Sequence, residues 1–169
     1  MENRGLIIRN ARPDESDDVS LLLRDAYRQY ENFFRPETWK SYLEDIMDVP
    51  SRLGKSDLIV AELDRRMAGC VTLYLDGSQS FPEAWPGGWA VVRLLAVHPA
   101  YRDQGIGRAL MEECIHRCRQ AKIAAIGLHT TEVMDVARQM YERMGFVRVP
   151  EFDFHPAPGV TVMAYSLQL

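Results

Sequence analysis

The chain is poor in cysteine. It has three, an odd number, and no CxxC pair. That leaves little basis for a metal or redox pair. Cys114 and Cys118 stand one helical turn apart, in line with Ile106 and Leu110, and read as small core residues. Long apolar runs are also missing: none approaches the roughly 20 residues that a membrane helix needs. The opening residues, MENRGLIIRNARPDE, lack the apolar core and small-residue cleavage site of a secretory signal. These two absences lead to the expectation of a cytoplasmic protein with no membrane partner. No basic stripe stands out, and the net charge of −4 with a pI near 5.6 argues against a nucleic-acid partner. The four histidines are scattered and HExxH is absent, so no metal is expected. Without GxSxG there is no serine nucleophile elbow.

What is present is ordinary for a globular chain: 169 residues, 47% hydrophobic and 26% charged. This is most simply one domain, residues 1–169, around one core. Leu6–Arg9 reads as a first strand. Pro13 and the acidic run to Asp18 start a helix to about Tyr30, and Pro36 opens a second helix to about Met47. This pair does not read as a DNA-binding motif, because its charges are mixed and no base-reading helix is evident. Asp57–Leu63 and Met67–Leu75 form a hairpin through Asp64-Arg65-Arg66. A Gly/Pro/Ser-rich loop, Asp76–Gly88, carries Trp85. Trp89–Val97 is apolar almost throughout, as in a strand buried on both faces, with Arg93 the exception. A helix from Ile106 to about Ala121 follows, then a strand at Ala124–Thr130. Thr130 and Thr131 are expected to cap the next helix, whose inner face is Val133, Ala137, Met140, Tyr141 and Met144. Gly145 is its left-handed stop. Phe146–Val149 and Val160–Leu167 complete the order βααβββαβαββ, a mixed α/β fold.

The chemistry concentrates in Val91–Arg108, VVRLLAVHPAYRDQGIGR. An apolar strand leads through a turn with Arg102 to Gly105-Ile106-Gly107 at the mouth of an amphipathic helix. A helix N-terminus offers N–H groups and a positive dipole end to a pyrophosphate. Gly105 and Gly107 let backbone approach it closely, and Arg102 and Arg108 can add charge-assisted bonds. GxG alone also suits helix–strand packing. A dinucleotide fingerprint needs a small residue where Leu110 stands, and a Walker loop needs GK[ST], which is missing.

With these residues in view, the chain resembles the GCN5-related N-acetyltransferase (GNAT) superfamily. Arg102-Asp103-Gln104-Gly105-Ile106-Gly107 matches the (Q/R)xxGx(G/A) acetyl-CoA motif. Arg93-Leu94-Leu95-Ala96-Val97-His98-Pro99 resembles the family's fourth strand. Ala137-Arg138-Gln139-Met140-Tyr141-Glu142-Arg143-Met144-Gly145-Phe146 resembles its AxxxYExxGF helix end. The resemblance implies an α/β fold whose mixed, mostly antiparallel central sheet splays between strands four and five, with helices on both faces. It implies acetyl-CoA as co-substrate, with pantetheine along Leu95, Ala96 and Val97 and pyrophosphate on the N–H groups of Gln104, Gly105, Ile106, Gly107, Arg108 and Ala109. Strand addition by a ligand would supply that pairing. Asp103 and Ala137 enter the cofactor set through the same motifs.

The resemblance also implies direct attack by an amine acceptor in a ternary complex. Tyr141 corresponds to the tyrosine that protonates the departing thiolate, although a core tyrosine on an apolar helix face would look the same. Many relatives carry a glutamate early in the fourth strand, where Val91 stands here, and an asparagine near Met134. The base is then sought among His129, Glu132, Glu83 and Asp76, with His129 favoured for its pKa near neutrality. His98 is expected to shape a turn and His116 to be solvated. Tyr27, Tyr30, Phe33, Phe34, Trp39, Trp85, Phe152 and Phe154, with Glu31, Glu37, Asp76, Glu83 and Asp153, suit a cationic small-molecule amine. The same aromatics could pack a dimer. A homodimer is implied by family analogy only. The competing reading is a non-catalytic acyl-CoA-binding sensor or partner module on the same fold.

Overall fold

A computed structural model describes residues 5–80 and 85–169. In chain order its main elements are β1 (Leu6–Asn10), α1 (Ser16–Tyr27), α2 (Pro36–Met47), β2 (Asp57–Leu63), β3 (Arg66–Tyr74), β4 (Trp89–Val97), α3 (Ile106–Gln120), β5 (Ala125–Thr130), α4 (Asp135–Arg143), β6 (Val147–Arg148), β7 (Phe154–Ala157) and β8 (Val160–Gln168). Short 3-10 turns join several of them. The residues group into two compact units: everything up to Leu73 with Leu94–Cys114, and Tyr74–Arg93 with Ile115–Leu169. Among the described residues no helix is long and apolar enough to cross a membrane.

In the first unit β1, β2 and β3 form an antiparallel meander. The β2–β3 turn places Asp64 and Arg65 at φ 49° and 65°, the left-handed pair of a tight hairpin. The second half of β4 lies beside β3. The His98 N–H bonds the Ala68 carbonyl at 2.8 Å, and a Cβ on Gly69 would meet the Ala96 oxygen at 2.9 Å. Packing against the β4 backbone therefore requires a glycine at position 69. α1 buries Val19, Leu22, Leu23 and Ala26, and Pro36 opens α2. The expected extension of α1 to Tyr30 is corrected: it ends at Tyr27, and Arg28–Phe33 tighten into a 3-10 segment.

In the second unit β4 pairs in parallel with β5, Trp89↔Ala125 through Val92↔Leu128. β8 runs antiparallel to β5, β6 and β7. The mixed, mostly antiparallel character is as expected. Two details differ from expectation. Phe154–Ala157 is an additional strand, in the segment between Phe146–Val149 and Val160–Leu167 where the expected order had none; proline is tolerated on such an edge. Thr130 and Thr131 do not cap α4. Thr130 is still paired with Met163 in the β5–β8 ladder, and the chain makes a turn through Met134 N–H to Thr131 O at 3.1 Å before α4 begins. Gly145 stops α4 at φ 97°. Ile106, Leu110, Cys114 and Cys118 are all buried, and the cysteines form no disulfide among the described residues.

Candidate active site

In the first unit, β4 alternates along its second half: Leu94 and Ala96 are buried, Leu95 and Val97 partly so. Leu94 takes φ 55°, a left-handed conformation unusual within a strand. The Leu95 carbonyl receives the Tyr27 hydroxyl at 3.4 Å. The His98 ring caps the following turn, its Nδ1 accepting the Ala100 N–H at 3.1 Å, which is the turn-shaping role expected of it. Asp103 and Gly105 are both left-handed, at φ 62° and 76°. Such residues turn backbone N–H groups into anion-binding concavities. The first intrahelical bond of α3 is Ala109 N–H to Gly105 O, so the N–H groups of Ile106, Gly107 and Arg108 are left without helical acceptors. A Cβ at Gly105 would meet no protein atom within 4 Å. The glycine therefore serves the loop conformation and leaves open space above the helix mouth, which fits a diphosphate.

The two arginines of this segment have partners. Arg102 is exposed and donates Nη2–H to the Ala26 carbonyl at the end of α1, 3.2 Å away. Arg108 pairs with Glu112 one turn along the helix at 2.8 Å. Each is at the helix mouth, and each commits a single guanidinium nitrogen to that acceptor.

In the second unit, Tyr141 is buried on α4, with its ring 5.8 Å from that of Phe146. Ala137, partly buried, is one turn earlier on the same helix. His129 lies on β5, partly buried. Its Nε2 is 2.7 Å from the Phe152 carbonyl oxygen. A carbonyl only accepts, so Nε2 carries the proton, and the neutral ring keeps its lone pair on Nδ1. The imidazole tilts against Trp85 with ring centres 4.7 Å apart and meets the Phe154 edge at 5.0 Å. Of the other base candidates, Glu132 is exposed. Asp76 holds Ser78 through its hydroxyl and backbone N–H, which pulls its carboxyl below the usual range. Glu83 lies outside the described residues. Val91 is fully buried beside Tyr74, Trp85 and Ala164, an apolar core position. His116 is exposed on α3 as expected.

The aromatic residues separate into two clusters, one in each unit. Tyr27, Tyr30, Phe34 and Trp39 gather around α1 and α2, with Phe33 65% exposed beside them. Tyr42, overlooked in the sequence, is their hub: it stacks on Phe34 at 5.5 Å and meets Tyr27 and Trp39 edge-on. Its spacing of three from Trp39 on α2 was the available signal. Burial raises the Tyr30 pKa, and the nearby Arg102 charge opposes the rise. The second cluster joins Trp85, Trp89, Phe152, Phe154 and His129.

Residues 20–146 match the model of the acetyltransferase (GNAT) family. The chain is 31% identical over 133 residues to the "Probable N-acetyltransferase camello" of Xenopus laevis, a match covering 75% of this chain and 58% of that one. It is 34% identical over 70 residues to the N-acetylaspartate synthetase of Danio rerio, covering 41% of this chain and 25% of the relative. The chain thus matches less than two thirds of either relative. The fold is shared with the PaiA N-acetyltransferase of Thermoplasma acidophilum in complex with coenzyme A, at TM-score 0.76 and 15% identity over 98% of this chain and 99% of that one. It is shared also with a GNAT family acetyltransferase of Brucella melitensis in complex with acetyl-CoA, at TM-score 0.62 and 19% identity over 97% and 88%.

Proposed function

Since the chain belongs to the GNAT acetyltransferase family, we propose that it transfers the acetyl group of acetyl-CoA to a primary amine, a small molecule rather than a protein. The observation that carries this reading is the helix mouth. Left-handed Asp103 and Gly105 precede N–H groups without helical acceptors, with open space above Gly105. Gln104 through Ala109 would hold the diphosphate, with Arg102 and Arg108 adding charge. The backbone of Leu95, Ala96 and Val97 would pair with the pantetheine amides, and Asp103 and Ala137 complete the binding set.

The reaction is direct attack in a ternary complex. The amine nitrogen bonds to the thioester carbon and the carbon–sulfur bond breaks. A backbone N–H of Leu95–Val97 stabilises charge on the carbonyl oxygen. Tyr141 gives its proton to the departing thiolate. His129 takes the proton shed by the amine, relayed to its buried Nδ1. The chain acts as a single acetyltransferase domain over residues 1–169, in the cytoplasm, as a homodimer, without nucleic acid, membrane or metal. The two aromatic clusters and their neighbouring carboxylates favour a cationic acceptor.

Release of free thiol from acetyl-CoA across a panel of polyamines, amino acids, aromatic amines and anionic acceptors tests the reading. Turnover with cationic amines is expected. Turnover of anionic acceptors alone overturns the cationic pocket, and tight coenzyme binding with no turnover of any amine establishes the sensor instead.

A further inference from the structure

We propose that Asp153, braced by Arg148, is a positioning residue that fixes the orientation and tautomer of His129; this rests on the reading of His129 as the base. The observation is a ring in the second unit made of short bonds and one strand-register pairing, that of Ala164 with His129. Asp153 Oδ1 accepts from Arg148 Nη1 at 2.6 Å and from the Ala164 backbone N–H at 2.7 Å, while Oδ2 accepts from Arg148 Nη2 at 2.7 Å. The same Nη1 donates to the Ala164 carbonyl at 2.8 Å. Ala164 is the register partner of His129 in the β5–β8 ladder. The ring closes through Phe152, the residue before Asp153, whose carbonyl holds the imidazole Nε2.

Every joint in this ring is restrained. The Phe152 N–H bonds the Val149 carbonyl, the Asp153 N–H bonds the Pro150 carbonyl, and the Val149 N–H bonds Ala164 O. With Asp153 anchored to β8, the Phe152 peptide has no freedom to turn its oxygen away from the ring. A bidentate Arg–carboxylate fork is directional as well as strong. The Asp153 side chain is 12% exposed, so solvent screens it little. Arg148 is steadied in turn by the Tyr165 ring, 5.6 Å from its guanidinium carbon.

The chemical consequence concerns which nitrogen is basic. With Nε2–H committed to Phe152 O, the neutral ring presents its lone pair on Nδ1 only. Losing the clamp would free the carbonyl and allow the Nδ1–H tautomer, which has no lone pair to offer there. Among the described residues, Asp153 and Arg148 form the ion pair at this corner. Glu142 on α4 is committed to the Tyr165 hydroxyl at 2.8 Å, and Tyr165 is the register partner of Leu128, one place from His129.

The test is nitrogen NMR of the His129 ring in the full chain, with kcat and acetyl-CoA KM followed against pH. The native protein should show the Nε2–H tautomer. Asp153→Asn should give a tautomer mixture, move the acidic limb of the kcat profile, and lower kcat on the order of tenfold to a hundredfold as base geometry loosens. Acetyl-CoA KM should stay within about twofold. Arg148→Lys, which keeps the charge and loses the fork, should shift the same signals less, and Asp153→Glu should restore the tautomer in part. If Asp153→Asn, or Arg148→Lys should the first not fold, retains a pure Nε2–H tautomer and the native pH profile, the positioning role is overturned. His129→Gln separates the two ideas. An unchanged kcat there, beside a disturbed tautomer in Asp153→Asn, removes His129 as base while leaving Asp153 as the element that orients it.

Discussion

Gly127 lies flat beneath the Trp85 ring: a Cβ on Gly127 would stand 2.6 Å from Cζ3 and 2.8 Å from Cε3. No real side chain makes such contacts, so the ring occupies the place where β5 has no side chain. Trp85 in turn touches Trp89, His129 and Phe152. One missing methyl thus seats the loop before β4 on the face of β5 that carries His129.

Gly127→Ala should overpack this corner. Trp85 must leave its seat, and the expected cost is about 1–3 kcal/mol of stability. The midpoint of denaturant unfolding should fall with an unchanged slope. Tryptophan fluorescence and the His129 ring signals should shift together. Native stability in the variant would mean that Trp85 has ample room elsewhere.

The first unit carries its own electrostatic latch. Arg9 holds Glu15 at 2.8 Å and Glu62 at 2.9 Å, and Glu15 also accepts the Arg12 N–H. The Arg9 bonds are the main reason that the Glu15 pKa is held down to about 2 from an ordinary 4.5. A depressed carboxylate contributes stability above its unfolded pKa and loses it as pH falls through the folded value. The contribution should therefore be complete above about pH 5 and fade between pH 4.5 and 2. Glu15→Gln should cost about 2 kcal/mol at pH 7, and its stability should approach that of the parent protein toward pH 2, measured by urea unfolding at each pH. Parallel curves at every pH would show that the carboxylate charge contributes nothing.

At the helix mouth, Gly105 sits at φ 76° in open space, so a side chain there strains the loop and fills the place proposed for the diphosphate. Gly105→Val combined with Gly107→Val should weaken acetyl-CoA binding by more than about tenfold, equal to about 1.4 kcal/mol. Calorimetry reads the affinity and circular dichroism confirms that the fold persists. Intact uptake in a folded double variant would remove the cradle from the mechanism.

Elements carried by dense local signals were legible. β4 announced itself as an apolar run broken only by Arg93, α3 by its four-residue stripe, and the end of α4 by Gly145. The start of α3 just after Gly105 was legible because a helix mouth is a local feature. Less visible were features set by tertiary partners. Phe154–Ala157 pairs with β8 despite Pro156. Residues after Thr131 make a turn before α4 because the β5–β8 ladder still holds Thr130. The Arg148–Asp153 fork is meaningful only once β8 brings Ala164 to it, and linear order gives no hint of that register. The aromatics read as one acceptor wall sort into two clusters because their segments belong to different units.

Tyr141 is the residue on which the proposed proton transfer to the thiolate rests. It is 6% exposed and packs on Phe146, while the Phe146 N–H bonds the Tyr141 carbonyl at 3.0 Å. The ring is thus fixed by packing and the backbone by the helix end, so Tyr141→Phe removes only the hydroxyl. If that hydroxyl protonates the thiolate, kcat should fall on the order of a hundredfold, the usual scale of a lost general acid. Coenzyme affinity should change by less than about twofold, because the group acts in the transition state and not in binding. A leaving group of lower thiol pKa should recover much of the rate, since it departs without a proton. Collapse of affinity or of folded structure in Tyr141→Phe would make the tyrosine a packing residue, and an unchanged kcat would move the acid elsewhere.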